Sequence, residues 1–183
     1  MGMIVTTRIF ENISPTIDST AYIDETALVI GDVTIAADVS LWPKVVARGD
    51  VNTITIGART NIQDGTILHV SHDSEFAPGG FPLVIGADIT VGHQAILHGC
   101  TLEDRCLIGM AATVMDGAIV RSGAMVGAGS LVPPGKELQG GYLWVGSPVR
   151  QARELRDEEK GFLEYSAKHY VELKNRHMDG EKN

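Results

Sequence analysis

A chain of 183 residues, 44% of them hydrophobic, has room for one domain and a small appendage, and its net charge of -8 argues against nucleic acid or an anionic membrane surface as a partner. Only 5% of the residues are aromatic while 21 are glycine, which excludes a core of large rings and points to an aliphatic interior and a frequently turning backbone. No apolar run is long enough to span a bilayer and the start lacks the pattern of a secretory signal, so a cytoplasmic protein is the expectation.

In chain order, Met1, Gly2 and Thr6 match the short N-myristoylation pattern, but nothing nearby is polybasic, and the match is read as coincidence. Residues 1–20 are set apart as an N-terminal segment. From Ile23 the aliphatic residues fall in steps of six, through Val29, Ile35 and Leu41. The step resumes at Ile56, Ile62 and Leu68, and again at Ile85, Val91 and Leu97. From Leu102 it runs through Ile108, Val114, Val120, Val126 and Val132 to Leu138. Neither the helical period of about 3.6 nor the strand period of 2 produces a strict six. A triangular prism does: each six-residue unit makes one short strand and a corner, and three units close a coil of about 18 residues. The pattern resembles that of the hexapeptide-repeat proteins, which implies an all-β, left-handed parallel β-helix over residues 21–146. Residues 71–82, "SHDSEFAPGGFP", lack the repeat and are predicted to leave the prism as an excursion loop. Residues 147–183 are predicted to form a linker and a C-terminal α-helix, capped at Asp157, with Phe162, Tyr165, His169 and Leu173 as the stripe that packs on the prism.

Three of the six histidines, His69, His93 and His98, fall where this repeat can bring them together. His69 and His93 are 24 residues apart, which stacks them on one face if the excursion adds about six residues to its coil. His98 lies where the step shortens to five, between Leu97 and Leu102. Imidazole is the commonest metal ligand, and three leave a fourth position open on Zn²⁺. Spacing leaves open whether the pair serves one metal within a chain or two different interfaces. Cys100 and Cys106 are read as free thiols, and Cys100, beside His98, as a small buried residue rather than a ligand.

The stretches "ARGDV", "NIQDGTILHV" and "VGHQAILHGC", set in hexapeptide repeats and followed by a terminal helix, resemble those of the γ-class carbonic anhydrases and their bacterial relatives over roughly residues 15–175. The resemblance implies a homotrimer with metal sites at subunit interfaces, His69 and His98 from one protomer and His93 from its neighbour binding Zn²⁺, or Fe²⁺ or Co²⁺. The implied reaction is the reversible hydration of CO₂ to bicarbonate by hydroxide generated on the metal. Gln63 matches the residue that orients that hydroxide, and Arg48, Asp50 and Asp64 match an ion-pair group near the interface. Tyr165 is a candidate for the helix position that approaches the metal, whereas His169 and His177 are expected at the surface.

Two positions depart from the archaeal members of that family. Val51 replaces a glutamate, and the excursion carries His72 where an acidic proton shuttle is expected, with Glu75 as the other candidate. A CO₂ hydratase exports a proton each cycle, so both changes bear on its rate. Two further functions therefore remain open on the same prism: an acyltransferase or thioesterase acting on acyl-CoA with one histidine as general base, and a non-enzymatic trimer held together by metal.

Overall fold

In the computed structural model, residues 6–180 are described, which leaves Met1 and Gly2 of the myristoylation pattern outside the described residues. The chain winds as a left-handed parallel β-helix whose three faces carry the six-residue units in turn. One face stacks Val46 at the start of Val46–Ile56, then Ile67–His69, Ile96–His98, Thr113–Val114 and Leu131–Val132. The next stacks Leu83–Ile85, Thr101–Leu102, Ile119–Val120 and Glu137–Leu138 on the far end of Val46–Ile56, which bends around the corner and joins the two faces into one sheet. The third runs from Tyr22–Ile23 through Asn61–Ile62, Thr90–Val91 and Met125–Val126 to Tyr142–Gly146. There Val149–Glu154 folds back antiparallel and closes the sheet. At the other end Thr7–Arg8 and Thr16–Ile17 pair onto Leu28–Ile35, so the sheet also takes in parts of the first twenty residues.

The periodic residues do what the repeat requires. Every one from Val29 to Leu138 is at most 2% exposed, and Ile23, next to the open first coil, is partly buried against them. Burial of these aliphatic side chains is the main driving force, at about 25 cal/mol per Å² of apolar surface removed from water. Small residues at the corners follow from the stacking. A Cβ on Gly57 would run into the backbone of Gly86 one coil on, and one on Gly109 into that of Gly127 and Ala128. The excursion leaves after Ile67–His69 and returns at Leu83–Ile85, tied at its neck by paired backbone hydrogen bonds between Ser71 and Phe81 of 3.1 and 3.0 Å.

The terminal helix, Asp157–Gly180, lies along the third face, but it presents a different side from the one predicted. Leu163, Ser166, Ala167 and Lys174 are buried, whereas Phe162 is 48% and Tyr165 60% exposed. The physical reason is the surface it meets. The outward residues of that face include Ser40, Asn61 and Thr90, which accept small or polar partners: Thr90 Oγ1 and Ser166 Oγ are 2.8 Å apart, and Lys174 Nζ crosses to Asp38 at 2.9 Å. The cap also differs. Asp157 is the first helical residue, and Arg156 stands at the cap position, its backbone N–H donating to Glu159 at 2.9 Å. His177 is exposed at the surface as expected, its ring edge against Trp42, and His169 is half-buried.

Candidate metal centre

In a parallel ladder, residues at equal positions point the same way, one strand spacing apart. Ile67–His69 and Ile96–His98 pair in such a ladder, with His98 directly over His69 and ring centroids 5.0 Å apart. This corrects the expectation that His93 stacks on His69. The coil containing the excursion separates equivalent positions by 29 residues, so the excursion adds more than the six assumed. His93 instead stands at another corner, above Asp64, 29 residues before it. Gln94, directly after it, turns that corner with φ of 58°.

Each of the three histidines is held by a carboxylate. His69 Nε2 lies 3.2 Å from Asp50 Oδ1, His98 Nδ1 lies 2.6 Å from Asp116 Oδ1, and His93 Nδ1 lies 2.9 Å from Asp64 Oδ2. An ionised carboxylate only accepts, so each of those ring nitrogens carries the hydrogen. The other nitrogen of each neutral ring is then a bare lone pair. For the stacked pair the two bare atoms, His69 Nδ1 and His98 Nε2, face each other across 3.0 Å. Two opposed lone pairs at that distance repel unless a cation or a proton lies between or beside them, and carboxylate-backed imidazoles suit a divalent transition metal. The donor set therefore fits a metal ion. Among the described residues, no three His, Cys, Asp or Glu side chains of one chain converge on a common point, and His93 is not part of the stacked pair.

Electrostatics favour the neutral, coordinating form of His69. Burial, reinforced by the nearby Arg48 charge and by His98, holds the His69 imidazole below its ordinary value despite the Asp50 carboxylate. Burial works against the Asp50 charge, but hydrogen bonds from Arg48 and His69 outweigh it and leave the carboxyl below the usual range. Arg48 Nη1 reaches Asp50 Oδ2 at 2.6 Å. The expected ion-pair group is split within the chain: Arg48 and Asp50 stay together, while Asp64 serves His93.

Gln63 is buried and donates its amide to Asn61 Oδ1 at 3.2 Å. It lines an apolar cavity of about 300 Å³ with His93, Met110, Phe162 and Tyr170. Tyr165 is not among the residues lining that cavity. It lies on the outer side of the helix, its ring stacked 5.7 Å from that of His169, and Phe162 and Tyr170 are the aromatic residues that line the cavity with His93. His72 is exposed in the excursion and lines a second cavity, of about 450 Å³, with Asp50, Val51, Glu11 and Asp32. Glu75 is exposed in the same excursion. Cys100 and Cys106 are free and buried, and burial pushes both thiols up to about 12, which suppresses the thiolate of each. Asp116 was missed from sequence although a signal existed: it lies 18 residues after His98, one coil away.

No family model matches the sequence. The chain is 54% identical over 172 residues to protein YrdA of Escherichia coli (strain K12), covering 94% of each chain. It is 44% identical over 164 residues to mitochondrial gamma carbonic anhydrase 1 of Arabidopsis thaliana, covering 90% of this chain and 59% of that longer protein. Among solved structures, a hexapeptide transferase family protein from Anaplasma phagocytophilum superposes with a TM-score of 0.86 at 40% identity, over 93% of this chain and 96% of that one.

Proposed function

Because the chain belongs to the γ-carbonic anhydrase-like hexapeptide-repeat family, we propose that it is a cytoplasmic, homotrimeric, metal-dependent lyase interconverting CO₂ and bicarbonate. In this reading His69 and His98 of one protomer and the partner subunit's His93 hold one Zn²⁺, with Fe²⁺ or Co²⁺ as the other candidates. The observation that carries it is the stacked histidine pair, whose bare nitrogens face one another while carboxylates fix the rings from behind. A divalent cation held there supplies acidity, since it can lower the pKa of a water molecule from 15.7 to about 7.

The chain's own residues supply the rest. Asp50, Asp64 and Asp116 orient the rings and keep their outer nitrogens free of hydrogen. Gln63, with one amide hydrogen committed to Asn61, keeps its oxygen and its other hydrogen free to orient the attacking water. The apolar wall formed by Met110, Phe162 and Tyr170 receives the uncharged CO₂ and sheds charged bicarbonate. His72, exposed on the cavity that reaches Asp50, carries the released proton to solvent, a task that an imidazole can serve.

Metal content and stopped-flow CO₂ hydration, measured on protein purified with and without oxygen, test the proposal. Near-stoichiometric Zn, Fe or Co that disappears in His93→Ala, together with turnover, is the expected result. Protein that carries no metal without chelators present contradicts it. An acyl-transfer reading draws on the transferase-family neighbour and on a cavity beside His93 that is larger than CO₂ needs. It requires acyl-CoA-dependent product formation that survives metal removal. A non-enzymatic trimer, consistent with Val51, predicts that chelation dissociates the subunits while no substrate turns over.

A further inference from the structure

We propose that Asp116 is a positioning residue of the metal centre, which selects the coordinating tautomer of His98 and is itself set by Ser71 of the excursion. This rests on the metal-centre reading above. Both oxygens of Asp116 are engaged: Oδ1 accepts from His98 Nδ1 at 2.6 Å, and Oδ2 accepts from Ser71 Oγ at 3.0 Å. Ser71 is fixed in turn, its carbonyl accepting from Asn52 Nδ2 at 3.0 Å and its backbone pairing with Phe81. Room for the carboxylate comes from Gly99, with φ of 53°, where a Cβ would collide with Asp116 Oδ1 and with Phe81.

Four groups are thus linked by hydrogen bonds: Asn52 donates to Ser71, and Ser71 and His98 both donate to Asp116. A neutral imidazole in water favours its hydrogen on Nε2, the atom that here faces His69. The carboxylate, which only accepts, holds the hydrogen on Nδ1 and leaves Nε2 bare. Removing Asp116 frees the ring to take the wrong tautomer and to rotate. The excursion gains a role independent of substrate contact: its neck holds the carboxylate that prepares a ligand.

Co²⁺ titration of the metal-free, full-length protein tests the proposal, read by affinity and by the d–d absorption spectrum, with D116N and S71A compared with the wild type. Carboxylates hydrogen-bonded to a ligating imidazole are generally worth about 10- to 100-fold in metal affinity, so D116N is expected to weaken Co²⁺ binding by about that factor, with an altered spectrum. S71A, which keeps the carboxylate and removes only its tether, gives a smaller loss in the same direction and remains informative if D116N fails to fold. Long-range ¹⁵N–¹H spectra of the metal-free protein read the tautomer directly: His98 carries its hydrogen on Nδ1 in the wild type and shifts toward Nε2 in D116N. Unchanged Co²⁺ affinity and spectrum in both variants, or a wild-type His98 protonated on Nε2, overturns the proposal. Wild-type protein that takes up no Co²⁺ yet shows the Nδ1–H tautomer lost in D116N overturns the metal reading and leaves the positioning role standing.

Discussion

Asp50, Asp64 and Asp116 each stand behind a histidine, and two of the three pairings follow from stacking: Asp116 lies 18 residues from its ring and Asp64 lies 29 from its ring, one coil in each case. At the residue scale the sequence singled out three histidines but not how they stack. The length of the excursion coil decides whether His93 or His98 covers His69, and an irregular Gly/Pro-rich stretch has no period from which that length can be counted. Gln63 and His72 lie beside the expected groups, whereas Tyr165 does not, because the helix rotates to bury its small residues. The two thiols were legible as inert: a cysteine at a core position of an aliphatic prism is desolvated, and its thiolate is suppressed. With both pushed up to about 12, Cys100 and Cys106 are expected to resist iodoacetamide in the folded protein at pH 8 and to react fully in denaturant, as mass spectrometry would show. Alkylation of either in the native state would contradict the burial assigned to them.

The repeat was the most legible element because a period of six leaves no competing regular structure, and its aliphatic positions from Val29 to Leu138 all lie in the core. The terminal helix was legible in place but not in orientation. Its apolar stripe pointed to Phe162 and Tyr165, yet the face beneath is polar, and Ser166 and Lys174 find partners there that phenyl rings could not. The helix start carries a pH dependence. Glu159 accepts from both Arg153 guanidinium nitrogens at 2.7 and 2.8 Å and from Arg156, and these bonds hold its carboxyl well below the ordinary 4.5. With the folded value depressed, the unfolded chain takes up the proton first as pH falls. The contribution is therefore complete above about pH 4.5 and is lost progressively below it. Melting temperatures of wild type and E159Q, compared from pH 7 to pH 3, are expected to differ most at pH 7 and to converge on acidification. A gap that stays constant over that range would remove the Arg153–Glu159–Arg156 cluster from the account.

At the scale of the whole molecule, one protomer presents a metal-ready pair at one corner and a third, separately oriented imidazole at another. In the proposed trimer the two would meet by rotation, since the cyclic packing of identical chains brings one patch of each copy against a different patch of the next. The six-residue repeat made the prism legible in the sequence, while the idea of a shared ligand set came from the motif resemblance alone. The separation of His93 from the stacked pair required the coil register. The most direct test of the central claim, one cation held by two copies, is subunit mixing. His69→Ala and His93→Ala proteins are denatured together, refolded in equal amounts, and assayed for bound Zn. Each variant alone is expected to retain no metal, while every mixed trimer regains about one of its three sites, because one His93→Ala protomer meets an intact neighbouring His93. Mixtures that bind no more Zn than the separate variants, or a His93→Ala protein that binds it fully on its own, would contradict the account.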